Sequence, residues 1–403
     1  MTTAWPTHWN RIPNLSSEDD ALAFINVCHQ RRAQIRDFLF DLAAAGQWWR
    51  VNKLAAAYFD AGSVKVSALA IAARRKRMDW SATEVLAEAK QLNLRKPCDE
   101  TVLARFEEKQ GGDPRLVVSF GPRELARQLI ALDVLRLRAR LHPNQFVCQG
   151  GMPAIEAWLL QELPKHTHAL TTDFPCFFPT LNRNLVRKTV LLPQTVLQEV
   201  LFTPMERMKV KNPLLCTIPM NEEDLCFDVC GVRPGWGVPP GSALSPLAAE
   251  CALRPILEAV EEKVPGVRVA TYADNLIILA KSQGAAEASK NALISAVEGD
   301  FHFRVVDGLR SRSKIFSTET GIECFLGYDF RCTEGKVQQN INEKRGQMFI
   351  DRIHVEWRDC PPEAWDLMRE RVQRRIAGYE QSHNRASNVK KIADEARTEF
   401  ADW

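Results

Sequence analysis

An α+β fold in two or three lobes is predicted by three observations. Apolar residues recur at helical spacing over residues 18–110, strands and helices mix from 169 to about 330, and a charged helical pattern runs from 343. At 403 residues the chain suits several lobes with substantial cores. Its 45% hydrophobic and 26% charged residues are ordinary for a globular protein.

The elements follow in order. Ala21, Phe24, Ile25 and Cys28, then Ile35, Phe38, Leu39 and Leu42, mark helix faces, and Gly46 and Gly62 punctuate successive helices. Gly111-Gly112-Asp113-Pro114 reads as a turn, and Arg115-Leu116-Val117-Val118-Ser119 as a strand. A helix with regularly spaced arginines runs to Arg140, and a second over 153–162 leads into the strand Ala169-Leu170-Thr171-Thr172-Asp173. Further on, the strand-forming stretches 267–272 and 276–279 flank Asp274-Asn275. Tyr, Val and Ile favour a pleated strand and Asp-Asn favours a turn, so this reads as a β-hairpin with a carboxylate at its tip.

Composition narrows the function classes. No apolar run approaches a membrane span and no signal peptide opens the chain, so a cytoplasmic protein without a membrane partner is expected. The eleven cysteines form no CxxC pair, and Cys226 and Cys230 have no companions at zinc spacing, which predicts reduced thiols. His166 and His168 read as surface imidazoles, and the tryptophans, including Trp48, Trp49, Trp80, Trp158 and Trp365, as mostly core. The net charge is only +3, but basic residues cluster at Arg74-Arg75-Lys76-Arg77, at Arg123, Arg127, Arg136, Arg138 and Arg140, and at Arg369, Arg371, Arg374, Arg375 and Arg385. Any one cluster reads as a solvated helix face, whereas the three together suggest phosphate contacts.

Three segments carry chemistry. They are Thr172-Asp173-Phe174-Pro175-Cys176-Phe177-Phe178, the loop from Gly237 through Pro240, Gly241 and Ser242 to Leu247, and Tyr272-Ala273-Asp274-Asn275. Nucleotidyl transfer uses two Mg²⁺ ions about 4 Å apart. Such hard cations take carboxylate oxygens. Asp173 and Asp274, at the ends of neighbouring strands, suit that task.

In this order the segments resemble the reverse transcriptase palm: D-x-x-x-F-F, then G-V-P-x-G-S-x-x-S-P, Y-A-D-x, and F-L-G-Y at Phe325-Leu326-Gly327-Tyr328. The spacing, 64 residues from Asp173 to Gly237 and 37 more to Asp274, is similar to that of bacterial members. Gly112 to Val117 is similar to their fingers strand, and 30–74 resembles the helical N-terminal region of group II intron-type enzymes. The resemblance covers most of residues 25–385.

The resemblance implies a right-hand polymerase fold: a helical N-terminal region (1–110), fingers (111–168), a palm with an antiparallel sheet and helices (169–330), and a short helical thumb (331–403). It implies that Asp173, Asp274 and the Phe174 carbonyl hold two Mg²⁺ ions, with Mn²⁺ as a substitute. Arg115, Phe178, Gly241, Ser242, Tyr272 and Asn275 would line the nucleotide, Phe178 selecting dNTP over rNTP. Lys314 would protonate the leaving pyrophosphate, and Phe325, Leu326, Gly327 and Tyr328 would grip the primer. The implied partners are an RNA template, a dedicated non-coding RNA among them, dNTPs, the DNA product, and a partner protein or second copy. No endonuclease-like Cys cluster follows the thumb, so a stand-alone bacterial enzyme of antiviral defence is expected.

The chain departs from the family at three places. Asn275 stands where a second Asp is usual, Pro240 where Gln is common, and the arginine of the second fingers motif is not evident in Gln149-Gly150-Gly151-Met152-Pro153. These departures keep two alternatives open: a template-independent or protein-primed DNA polymerase, and a non-catalytic RNA-binding scaffold. Phe178 disfavours an RNA-dependent RNA polymerase.

Overall fold

The computed structural model describes residues 10–109, 112–210, 235–298 and 303–400. Cys216, Cys226, Cys230, Gly111 and the side chain of Arg115 lie outside the described residues. The fold is mixed α+β, with many helices and three small sheets among the described residues.

In chain order the elements begin with helices α1 (Glu18–Ala44), α2 (Trp48–Tyr58), α3 (Gly62–Arg75) and α4 (Ala82–Gln91), then β1 (Val102–Lys109), β2 (Gly112–Ser119) and α5 (Pro122–Arg138). Next come α6 (Gly151–Glu162), β3 (His168–Asp173), α7 (Phe177–Thr180), α8 (Arg183–Thr189), a helical run with a π turn at Leu197–Phe202, and β4 (Met208–Val210). The middle of the chain holds α9 (Ser245–Lys263), β5 (Arg268–Tyr272), β6 (Asn275–Ala280), α10 (Gln283–Val297) and α11 (Phe303–Arg312). Strands β7 (Lys314–Ser317), β8 (Ile322–Phe325), β9 (Tyr328–Thr333) and β10 (Lys336–Ile341) follow. Helices α12 (Glu343–Arg358), α13 (Trp365–Ser382) and α14 (Val389–Glu399) end the described chain.

Two compact units are present. The first draws its described residues from Met1–Cys148, Pro175–Glu258 and Ala296–Asp307. Its helices are set by local chemistry: Ser17 accepts the Asp20 N–H at the start of α1, and Ser81 with Glu84 forms a capping box on α4. Asp133 of α5 ties α1 and α2 together inside the core, accepting from Arg32 at 2.7 Å and from the Tyr58 hydroxyl at 2.6 Å. A buried carboxylate needs such partners. The sheet has the order β2-β1-β4, with β1 antiparallel to β2 and parallel to β4. Val102, Ala104, Leu116, Val118, Phe120 and Met205 pack as its core.

The second unit draws on Gln149–Phe174, Ala259–Ser295 and Gly308–Trp403. It contains a four-stranded antiparallel sheet, β5-β6-β3-β7, and a three-stranded one, β10-β9-β8. β-Branched residues such as Thr171, Thr172, Val269, Thr271, Ile277 and Ile278 favour the pleated strands. Ile350, Ile353, Val372, Ile376, Ala393 and Ala396 pack α12, α13 and α14 together. Each such burial of a large aliphatic side chain contributes roughly 1.5–3 kcal/mol.

Several sequence expectations change. The helical reading of 18–110 ends early, because Val102, Ala104 and their neighbours pair as β1. Gly112 to Pro114 already belong to β2, so the turn expected there is strand instead. The hairpin tip is Ala273-Asp274, and Asn275 opens β6 by pairing with Tyr272. Residues 331–403, expected to be helical, begin with the end of β9 and with β10. His166 is buried, not superficial, and its Nδ1 meets the Glu162 carbonyl at 2.8 Å. Trp48, Trp49 and Trp365 are exposed, not core. No single described helix is long and apolar enough to cross a membrane. The bent pair α2–α3 passes on length and composition, yet Val51, Leu54, Tyr58, Val64, Val66 and Leu69 are buried in the protein.

Candidate active site

In the second unit the strand register assembles the acidic site. Asp173, the last residue of β3, pairs with Asn275 of β6, and Asn275 pairs with Tyr272 of β5. Paired residues project to the same face, so Tyr272, Asn275 and Asp173 form one transverse row. The next row on that face is Ala270, Ile277, Thr171 and Lys314. The Phe174 N–H donates to the Asp274 carbonyl at 2.8 Å, which pins the hairpin tip to the chain leaving β3. The two aspartates, 101 positions apart in the sequence, therefore sit at one end of the β3–β6 pair.

The tip is a two-residue turn, and Ala273 holds φ at 55°. Left-handed backbone in a residue with a Cβ costs roughly 1–2 kcal/mol. Such strain persists where the surroundings enforce it, commonly at functional sites. Asn275 Nδ2 donates to Asp274 Oδ1 at 3.2 Å and steadies the carboxylate. All four residues from Tyr272 to Asn275 are half-buried.

Arg312, at the end of α11, is the residue that sequence reasoning missed. Its Nη1 donates to Asp173 Oδ2 at 2.9 Å. Both side chains are substantially exposed, 43% for Arg312 and 38% for Asp173, so the pair contributes little to stability. Lys314, two residues on, is exposed on the face that carries Asp173.

The Asp173 and Asp274 side chains offer oxygen donors, the kind that a hard divalent cation takes. Asn275 brings an amide where a further carboxylate would strengthen binding, and Arg312 competes for one oxygen of Asp173. Among the described residues, no group of three or more His, Cys, Asp and Glu side chains is placed to hold a metal.

Other expected site residues lie in the first unit. Phe178, half-buried in α7, rests against Phe177 with ring centroids 5.4 Å apart. The 237–242 loop is tied beside it, with the Val238 N–H on the Phe178 carbonyl at 2.9 Å and the Gly237 N–H on the Leu181 carbonyl at 2.8 Å. Gly241 is exposed with φ at 81°, and a Cβ there would lie 2.9 Å from the Val118 carbonyl of β2. Only glycine permits that approach to the strand carrying Arg115. Ser242, by contrast, is buried and accepts the Leu244 N–H at 3.2 Å, a turn-capping role at the start of α9.

Phe325-Leu326-Gly327-Tyr328 forms the β8–β9 turn of the second unit. Leu326 and Gly327 both have positive φ, the geometry of a type I′ turn. Phe325 and Tyr328 are buried. Arg345 donates to the Leu326 carbonyl at 2.6 Å and lies 5.0 Å from the Tyr328 ring centre. Burial, followed by the nearby Glu156, pushes the Tyr328 phenol up to about 12.

Several of the clustered arginines pair with acidic or amide side chains, whereas Arg74, Arg75, Arg77, Arg136 and Arg140 are exposed. Arg123 pairs with Asp99 at 3.0 Å, Arg127 is buried on Glu124 at 2.7 Å, and Arg138 donates to Asn52. On α13, Arg371 and Arg375 both meet Glu356 of α12, and Arg374 meets Glu370 of its own helix. For the paired arginines the acidic partner comes from the same helix, a neighbouring helix or the segment before it.

No protein-family model matches the chain, and no curated protein matches it. Among solved structures, the chain is similar to apo telomerase from Candida Tropicalis truncated from its C-terminal domain. The TM-score is 0.38 and the identity 12%, over 61% of this chain and 56% of that one. The chain thus spans little more than half of that structure's length, and a superposition at that score does not decide a fold.

Proposed function

We propose that the protein is an RNA-directed DNA polymerase. The observation that carries the reading is the placement of Asp173 and Asp274 at one end of adjacent strands, locked by the Phe174–Asp274 backbone hydrogen bond. In the reaction a primer 3′-hydroxyl oxygen bonds to the α-phosphorus of a dNTP, the bond to the β-phosphate oxygen breaks, and pyrophosphate leaves. The hydroxyl proton passes to solvent, and Lys314 donates a proton to the pyrophosphate. Bound Mg²⁺ would lower the cost of the charge that develops on the attacking and leaving oxygens. Asp173 and Asp274 would hold the metal and Asn275 steadies Asp274; that Phe178 excludes a 2′-hydroxyl is carried by the family resemblance alone. A dedicated non-coding RNA as template, and a part in antiviral defence, extend the proposal on family resemblance alone.

The test supplies purified protein with a primed RNA, a primed DNA or no template, each with dNTPs or rNTPs and Mg²⁺. RNA-dependent dNTP incorporation is expected, and Phe178→Ala should raise rNTP use about tenfold or more while sparing dNTP use. A homopolymer made without template would replace the reading with template-independent synthesis.

One observation favours a second reading. Arg312 pairs with one oxygen of Asp173 and Asn275 stands where the family has a carboxylate, as in a scaffold that keeps the fold without the chemistry. If no nucleotide is incorporated under any of these conditions, the scaffold reading stands.

A further inference from the structure

Two cations stand along the β7 edge of the four-stranded sheet, and the strand register relates them to the carboxylates. Strand β7 pairs with β3 through Ser317 and His168, Phe316 and Ala169, Ile315 and Leu170, and Lys314 and Thr171. Continued two residues past that last pair, the same register sets Arg312 opposite Asp173. Paired residues share a face, and every second residue returns to it. Arg312 therefore extends the row of Tyr272, Asn275 and Asp173, and Lys314 lies one row behind. Although Arg312 closes α11, its side chain completes the row, with Nη1 on Asp173 Oδ2 at 2.9 Å.

A second arginine–aspartate pair shows what a structural version looks like in this chain. Arg32 meets Asp133 Oδ2 with both Nε and Nη2, at 2.9 and 2.7 Å, and the two side chains are only 9% and 6% exposed. Breaking such a pair strands a charge in the interior. Arg312 and Asp173 are 43% and 38% exposed, so water can replace either partner and their separation costs little. The outer pair is suited to exchange.

A divalent cation and Arg312 want the same oxygen. Arg312 must leave Asp173 Oδ2 before a cation can use that atom, and its charge, which an arginine does not lose in proteins, repels a cation nearby. Both effects weaken cation binding. Asn275 adds an amide beside Asp274 and no further negative charge, so one guanidinium weighs heavily against the two carboxylates.

We propose that Arg312 is an exchangeable counter-ion that sets the divalent-cation affinity of the Asp173–Asp274 site. The role rests on the metal-site reading above and supplies the regulation of that site. It differs in sign from a structural role. An arginine that only oriented Asp173 would strengthen cation binding, whereas a counter-ion weakens it.

The test is titration of the full-length protein with Mn²⁺, the free ion followed by electron paramagnetic resonance, with no nucleotide or nucleic acid present. Arg312→Gln should bind Mn²⁺ roughly tenfold more tightly than wild type. Arg312→Lys keeps the charge without the planar fork and should fall between the two. Asp173→Asn should lose most of the binding. The thermal unfolding midpoint of Arg312→Gln should match that of wild type, because an exposed pair adds little to stability. Binding by Arg312→Gln where wild type shows none would be the same result in its strongest form. Equal or weaker binding by Arg312→Gln, with Asp173→Asn still impaired, would overturn the counter-ion role and leave the metal site standing. Binding unchanged in Asp173→Asn, or absent from every variant, would overturn the metal site and the proposal with it.

Discussion

Two hairpins of the second unit use two-residue turns of different backbone geometry for opposite ends. In β8–β9, Leu326 and Gly327 both take positive φ, Phe325 and Tyr328 are buried, and Arg345 clamps the turn carbonyl. In β5–β6, Ala273 takes positive φ without a glycine's freedom, and Tyr272 to Asn275 stay half-buried around a carboxylate. The first turn is built for packing. Both turns hold a residue with a Cβ in left-handed backbone, Leu326 in the first and Ala273 in the second, and the second presents Asp274 beside Asp173. Turn length alone therefore says little about role, and the side chains on either side of the turn decide it.

The contrast predicts different responses to substitution. The largest effect on stability is expected at the packed turn. Gly327→Ala places a Cβ in left-handed backbone and against the Arg345 side chain, so unfolding free energy should drop by roughly 1–2 kcal/mol in urea titration. If stability holds, the Arg345 clamp is not a tight fit.

The next test concerns pH. Burial, and then Arg345, lowers the pKa of His383, which meets the Tyr328 hydroxyl. The ring thus stays neutral in the folded state at a pH where the unfolded chain, near 6.5, takes up a proton. Its contribution to stability is full above about pH 6.5 and is lost as pH falls below that value. His383→Gln should flatten the acid limb of a melting-temperature profile. An unchanged limb would remove His383 from the account of this turn.

The smallest effect is expected at the strained tip. Ala273→Gly relieves the Cβ strain but loosens the unfolded chain, two terms of opposite sign that leave a gain of roughly half a kcal/mol. A loss of stability would show that the Ala273 methyl packs usefully.

Much of the acidic site was legible in the sequence, for physical reasons. Thr171 and Thr172 mark a strand that stops at Asp173, and Val269 to Tyr272 with Leu276 to Leu279 mark the hairpin. The tip was misplaced by one residue because alanine carries no turn preference, whereas Asn275 does and yet begins a strand. β1 was missed because its pairing with β2 and β4 is a tertiary fact, β4 being about a hundred residues away. Arg312 lies 139 residues from Asp173, and nothing in its local pattern points to the contact. The pairings of Arg123 with Asp99 and of Arg375 with Glu356 were not legible for a related reason, since each partner lies well away in the sequence.

The central claim is that Asp173 and Asp274 together hold the metal for nucleotidyl transfer. The most direct measurement is single-turnover extension of a primed RNA with Mg²⁺ and dNTPs by wild type, Asp173→Asn and Asp274→Asn, with folding checked by circular dichroism. Each variant should fold normally and lose incorporation by about a thousandfold, several kcal/mol of barrier. Extension by either variant at a rate near that of wild type would contradict the account.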